Sequence, residues 1–96
     1  HASVKGAQTF YKENDENKKI AELIQNNLQS IDLNNTRLAK SISGKYLLDH
    51  ANKIGCLVEV GFLSNPDEAK QLNDKYYQNK IAYAIYAGIL SYIESI

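Results

Sequence analysis

Apolar side chains recur along the chain at two different spacings, and the spacings divide it into elements. From Glu16 onward Ile20, Leu23, Ile24, Leu28 and Ile31 stand three or four positions apart, which places them on one face of a helix. Glu16, Asn17, Lys18, Lys19, Gln25, Asn26 and Gln29 fall mainly on the opposite, wet side. Asn14 or Asp15 supplies the N-cap, with acidic residues set against the exposed N–H groups of the first turn. Ahead of this helix, Ala7 to Tyr11 (AQTFY) follow Gly6 and are rich in β-formers, which predicts a short strand. The polar cluster from Lys12 to Asp15 closes it.

Beyond the helix, Asp32 to Lys45 is polar and punctuated by Asn34-Asn35 and Gly44, the pattern of a loop. Tyr46-Leu47-Leu48 is a brief apolar burst and predicts a short strand. Gly55 to Leu63 (GCLVEVGFL) is a run of β-formers bounded by glycine and by Ser64-Asn65-Pro66, the pattern of a strand buried on both faces. Asn65-Pro66-Asp67-Glu68 then opens a helix, with Asn65 as cap, proline in the first position and acids in the first turn. After Asn73-Asp74 a last helix runs from Lys75 to Ser95, with a core stripe of Ile81, Ile85, Ile89, Tyr92 and Ile93. Ala82, Ala84, Ala87 and Gly88 permit close approach to it. Strand, helix, strand, strand, helix, helix predicts an α/β fold, with strands backed by helices and two helices at the C-terminal end.

Composition narrows the class. The 96 residues leave room for one domain, and a chain of this size buries only about 60–65% of its unfolded surface. Eleven basic side chains balance eleven acidic ones, which argues against nucleic-acid binding by phosphate neutralisation and against a polybasic membrane anchor. The single cysteine excludes an internal disulfide and a Cys-rich zinc cage. The mainly apolar stretch from Ile81 to Ile93 is too short to be a transmembrane segment. The opening residues carry no charged-then-apolar leader pattern, and the start without Met reads as cut, processed or engineered.

Glu59 does not fit its surroundings. An ionised carboxylate inside an apolar strand costs several kcal/mol unless it is paired or coordinates something. One reading leaves its face of the strand solvated, with Glu59 a surface residue near the strand end. The other makes it a general acid/base at the end of a central strand, where open α/β sheets commonly put their sites. Gly55 and Gly61, beside it, suit a place where a ligand or another backbone comes close.

Leu57 to Asn65 (LVEVGFLSN) resembles the signature of the zinc-dependent N-acetylmuramoyl-L-alanine amidases of bacterial cell walls. Gly6 to Tyr11 (GAQTFY), Asn35 to Lys40 (NTRLAK) and the AYAIYAGI core of Tyr77 to Tyr92 agree with that family in order and spacing. GAQTFY and YLLDHA are most similar to its spore-cortex, germination-specific branch. The resemblance spans Val4 to Tyr92. It implies hydrolysis of the amide between the lactyl group of N-acetylmuramic acid and L-alanine of the stem peptide. It also implies one zinc ion held by two histidines and a glutamate, and a catalytic role for Glu59. Zinc would polarise the scissile carbonyl and lower the pKa of bound water to about 7, and a carboxylate would carry that water's proton to the leaving amine.

The resemblance also implies that residues 1–96 are the C-terminal part of one amidase catalytic domain of roughly twice this length. The first histidine and the ligand glutamate of the family are expected upstream. The second histidine is either His1, with a shortened loop before Gly6, or has no counterpart, His1-Ala2-Ser3 then being a remnant of a histidine tag. One histidine is not a catalytic zinc site, which needs about three protein ligands, so the chain alone is expected to be inactive. Exposed sheet edges would then favour dimerisation. Arg37 and Lys40 are candidates for binding the carboxylates of a stem peptide, since the Arg fork suits bidentate contacts. His50 reads as a surface or loop residue, and Cys56 as a small buried hydrophobe. Tyr76, Tyr77, Tyr83, Tyr86 and Tyr92 lie at helical spacing and read as packing residues. Peptidoglycan as partner implies an extracytoplasmic location, in the cell wall or spore envelope. The alternative is a non-catalytic wall-binding or interaction module on the same scaffold.

Overall fold

Gly6 turns the chain with φ +96, a left-handed conformation that glycine adopts without strain, and the first strand follows it. The computed structural model describes residues 6–61 and 65–96. Its elements are β1 (Gln8–Tyr11), α1 (Asp15–Ser30), β2 (Lys40–Ser41), α2 (Tyr46–His50), β3 (Leu57–Glu59), α3 (Pro66–Leu72) and α4 (Lys75–Glu94). The sheet has the order β2-β1-β3. β1 runs parallel to β2, with Phe10 opposite Lys40 and Tyr11 opposite Ser41. It runs antiparallel to β3, with Gln8 opposite Glu59, Thr9 opposite Val58 and Phe10 opposite Leu57.

Because side chains alternate across a strand, this register sorts the sheet into two faces. Ala7, Thr9, Cys56, Val58 and Val60 share one face, where Ile20, Ile24, Leu28, Ile81, Ala84 and Tyr92 of α1 and α4 form the core with Ala7. Gln8, Phe10, Leu57 and Glu59 share the other. The two long helices meet at Gly88. A methyl group there would stand 2.7 Å from Ile24 Cγ1 and 2.9 Å from its Cα, so glycine is what lets α4 lie against the backbone of α1. Asn27 Nδ2 donates to the Ala84 carbonyl at 3.1 Å across the same seam.

Two polar residues on the core side of α1 complete the sheet. Ahead of the β1–β2 pairing, the edge of β1 meets the Gln25 side chain instead of a strand. Gln25 Oε1 accepts from Thr9 N–H at 2.8 Å and its Nε2 donates to the Ala7 carbonyl at 3.0 Å. The amide thus supplies the donor and acceptor that a neighbouring strand would offer, and few buried backbone groups go unpaired in native proteins. Asn17 likewise donates to the Lys12 carbonyl and accepts from Gly55 N–H, tying the turn after β1 to the approach to β3. Both residues are buried, where their polarity predicts the wet side. They sit within the helical arc of Ile20, Ala21, Ile24 and Leu28, and their bonds offset the cost of burial.

The structure corrects other expectations. Tyr46-Leu47-Leu48 opens a helix, not a strand. Only Leu48 of the three is buried, the Tyr46 and His50 rings stack 4.1 Å apart one turn from each other, and three apolar residues in a row do not distinguish the two structures. The polar segment from Asp32 to Lys45 contains β2 as well as loop. β3 is half-buried throughout, not closed on both faces, and the Phe62-Leu63-Ser64 end of the expected strand lies outside the described residues. α4 follows its predicted span, but its buried line is Ile81, Ala84, Gly88 and Tyr92, while Ile89 and Ile93 are exposed. Close contact with α1 selects the small residues for the inner face. Tyr76, Tyr83 and Tyr86 are exposed too, so of the five helical tyrosines only Tyr92 and, in part, Tyr77 pack. Asn14 and Asn65 cap α1 and α3 as expected, through bonds to Asn17 N–H and to Asp67 and Glu68 N–H.

Candidate functional site

Glu59 ends β3 on the sheet face that turns away from α1 and α4, half-buried, so neither a fully solvated nor a fully enclosed carboxylate describes it. Its cross-strand neighbour is Gln8, and directly opposed side chains on one face have Cβ atoms about 4.5–5.5 Å apart. Gln8 is buried. Its Nε2 donates to the Leu38 carbonyl at 2.9 Å, and its Oε1 accepts from Arg37 Nε at 2.8 Å and also from Arg37 Nη2. The sheet therefore brings Glu59 and Arg37 to either side of one buried amide.

The backbone of Arg37 is held as firmly as its side chain. Its carbonyl accepts from Gln25 Nε2 at 3.0 Å and from Gln29 Nε2 at 2.6 Å, and its N–H donates to Asn35 Oδ1 at 2.9 Å. Asn35, itself buried, donates through Nδ2 to the Ala7 carbonyl at 2.8 Å. The NTRLAK segment is thus moored to β1 and α1 by three side-chain amides, and Arg37 is a fixed cation. Lys40 lies in register with Phe10, on the face of Gln8 and Glu59, and is exposed. Lys40 and Glu59 accordingly share one face of the sheet with Gln8, to which Arg37 is bonded.

The remaining candidates fall elsewhere. His1 lies outside the described residues. His50 is exposed at the end of α2, with Nδ1 3.0 Å from the Tyr46 carbonyl. Cys56 packs beside the core, and burial pushes its thiol pKa up, opposite to what a nucleophilic thiolate needs. At neither glycine beside Glu59 does the surrounding space demand glycine: a methyl group would meet nothing within 4 Å at Gly55, and only ordinary contacts with Leu72 and Glu68 at Gly61. Among the described residues no three His, Cys, Asp or Glu side chains stand together in a way that could hold a metal ion. One carboxylate does not fit a zinc ion on its own, since a catalytic zinc site takes about three protein ligands.

Residue composition alone does not flag Gln8, Asn35 or Glu68. Glu68 is a buried carboxylate whose Oε2 accepts from Gly6 N–H at 2.6 Å, joining α3 to the entry of β1. With Asp32 it raises the pKa of Tyr77, burial being the larger cause. An open polar hollow beside Gly6 is lined by Asp32, Asn34, Asp67, Glu68 and Gln71, and Glu59 is not part of it. The usable signal for Gln8 is positional: it faces the one acid in the opposing strand.

Known proteins resemble this chain in sequence and fold. The profile of a family described as N-acetylmuramoyl-L-alanine amidase matches residues 1–91. The chain is 51% identical over 88 residues to the germination-specific N-acetylmuramoyl-L-alanine amidase of Bacillus subtilis, a match covering 91% of this chain and 37% of that protein. Its fold is similar to that of the CwlD amidase from Clostridioides difficile, solved in complex with the GerS lipoprotein, with a TM-score of 0.95 and 41% identity over 100% of this chain and 50% of that one. It is similar also to an N-acetylmuramoyl-L-alanine amidase from Clostridium difficile 630, with a TM-score of 0.88 and 27% identity. The chain spans about half the length of these structures, or less of the curated relative.

Proposed function

Since the chain belongs to the N-acetylmuramoyl-L-alanine amidase family, we propose that it is the part of a peptidoglycan hydrolase that carries the catalytic carboxylate, Glu59. The observation that supports this is the position of Glu59 on the sheet face turned away from α1 and α4, opposite Gln8, which holds the anchored Arg37. In this reading Glu59 takes a proton from the attacking water and delivers it to the nitrogen of L-alanine as the lactyl–alanine amide breaks. Water and amide become a carboxylic acid and an amine, and the carboxylate is returned unchanged. A carboxylate only partly screened from water suits both halves of that transfer.

Arg37, bonded to Gln8, and Lys40 would meet the carboxylates of the stem peptide. The described residues do not by themselves fit the zinc ion of the family, so we assign its ligands to positions outside them, His1 among the candidates. The 96-residue chain on its own is then inactive. Similarity to the germination-specific relative supports a cell-wall or spore-envelope substrate and hence an extracytoplasmic place of action.

Digestion of purified peptidoglycan with the full-length protein, followed by mass spectrometry, tests the assignment. The expected products are stem peptides with a free L-alanine amino terminus and glycans with a free lactyl carboxylate. Cleavage confined to glycosidic bonds, or within the stem peptide, would overturn it.

A further inference from the structure

We propose that the outer face of α4 pairs with the same face of a second copy of this chain, the two helices running antiparallel about a two-fold axis beside Gly88. The pairing lies on the far side of α4 from the sheet, so it goes beyond the assignment of Glu59 and does not depend on it.

α4 is apolar on two opposite sides. Ile81, Ala84, Gly88 and Tyr92 are buried against the rest of the fold, yet Tyr83 is 70% exposed, Tyr86 60% and Ile93 55%, with Leu90 exposed between them. At 3.6 residues per turn this second set lies about 120–200° around the helix from Ile81, on the side away from the core. Its spacings of three, four and three are those of a heptad seam, and the rings of Tyr83 and Tyr86 lie side by side along it, 6.3 Å apart. A helix that is apolar all round is one covered on both sides. Because α4 is already held in helical form against α1, pairing carries no cost of ordering it.

Register and charge together select a second copy, and its direction. Setting Tyr83 against the partner's Ile93 and Tyr86 against the partner's Leu90 also sets Ile89 beside the partner's Ile89 on one flank. On the other flank it sets Lys80 beside the partner's Glu94, twice by symmetry. The seam is thus complementary to itself in shape and in charge. A parallel pairing would instead bring Lys75 beside the partner's Lys80, and Ile89 beside the partner's Glu94. Glu94 is the last residue of α4, and no basic side chain stands in that final turn. An anion there opposes the helix dipole, and a lysine from across the seam relieves it. Lys80 is free to turn to it, since its contact over the exposed Tyr76 ring, 5.1 Å from the centroid, is weak in water. The exposed side chains of the seam, with Ile96 at its end, amount to on the order of 600 Å² per copy, a whole aromatic burying about 150–250 Å². The pair therefore covers about 1,200 Å², the lower bound for a stable specific interface.

Sedimentation equilibrium and carbodiimide cross-linking of the full-length protein test the pairing. The wild type should be dimeric at about 50 μM. Tyr86→Glu should raise the dimer Kd about 100-fold, as loss of a central interface aromatic does, and leave peptidoglycan hydrolysis unchanged. Glu94→Lys should raise it about tenfold, and Lys80→Glu combined with Glu94→Lys should restore it, a rescue that an apolar patch without a register would not give. Carbodiimide joins an amine to a touching carboxylate with loss of water, and it should link Lys80 to Glu94. Within one chain these residues stand about 21 Å apart along α4, so that link forms only between copies. The inference is overturned if the full-length protein is monomeric at about 50 μM, the seam then being covered by the rest of its own chain or by a different protein. It is overturned equally by a dimer that is indifferent to Tyr86→Glu, or in which the double charge exchange restores nothing.

Discussion

Gln8 and Glu59 stand directly opposite each other in the antiparallel pairing of β1 with β3, and the rest of the candidate site is arranged around that pair. Gln8 reaches one way to Arg37 and Leu38, and Glu59 occupies the other side. The strand that carries Gln8 is held by Gln25 at its edge and by Glu68 at its entry. Most of the local architecture therefore serves to fix β1 against β3.

Gln25 is the first test of this. Replacing it with leucine keeps the volume and removes the bonds to Thr9 N–H and the Ala7 carbonyl; the carbonyl keeps its bond from Asn35 Nδ2, while the Thr9 N–H is left buried without its acceptor. The expected loss is roughly 1–3 kcal/mol, the cost of one orphaned buried group. Urea denaturation checks it, and a change within about 0.5 kcal/mol, the range of ordinary surface substitutions, would show that the amide is not acting as a surrogate strand.

Gly88→Ala tests the helix seam. Alanine is the better helix former by about 1 kcal/mol, yet its methyl would stand 2.7 Å from Ile24 Cγ1 and 2.9 Å from Ile24 Cα. Overpacking of this kind costs about 1–3 kcal/mol, and the contact is with backbone, which cannot rotate away. Thermal denaturation should show a lower Tm than the wild type; an unchanged or higher Tm would mean that α4 shifts freely along α1.

Alkaline pH should weaken the fold. Burial raises the Cys56 pKa, and burial together with Asp32 and Glu68 raises that of Tyr77. Both groups hold their proton more tightly when folded, so the unfolded chain ionises first as pH climbs. Stability is then complete below the ordinary thiol range and declines through and above it. Stability measured by urea at a series of alkaline pH values should fall, and the fall should begin later for Cys56→Ala. Reaction of Cys56 with a disulfide reagent near pH 8 should be slow until urea exposes the thiol; reaction at the rate of a free thiol would contradict the burial.

Much of the fold is legible in the sequence because its helices are long and their start signals local. Asn14, Asn65 and Asp74 each accept bonds from the first-turn N–H groups they precede, and such caps are read without tertiary knowledge. What is not legible depends on distant partners. The two-residue β2 exists because β1 lies beside it, and Asn17 and Gln25 are inside because backbone groups far along the chain need them. Glu59 stands out as an acid in an apolar run, and Arg37 through the family resemblance. Gln8 does not, since only the β1–β3 register sets it beside Glu59 and turns an ordinary glutamine into a neighbour of both.

The central claim is that Glu59 moves the proton. The direct measurement is the rate at which the full-length protein releases L-alanine amino termini from peptidoglycan, for the wild type and for Glu59→Gln. Glutamine keeps the shape and removes the carboxylate that accepts and returns the proton. The rate is expected to fall by about 10²–10⁴, the usual contribution of a general acid/base, with Tm unchanged. A folded Glu59→Gln variant that hydrolyses at the wild-type rate would contradict the account.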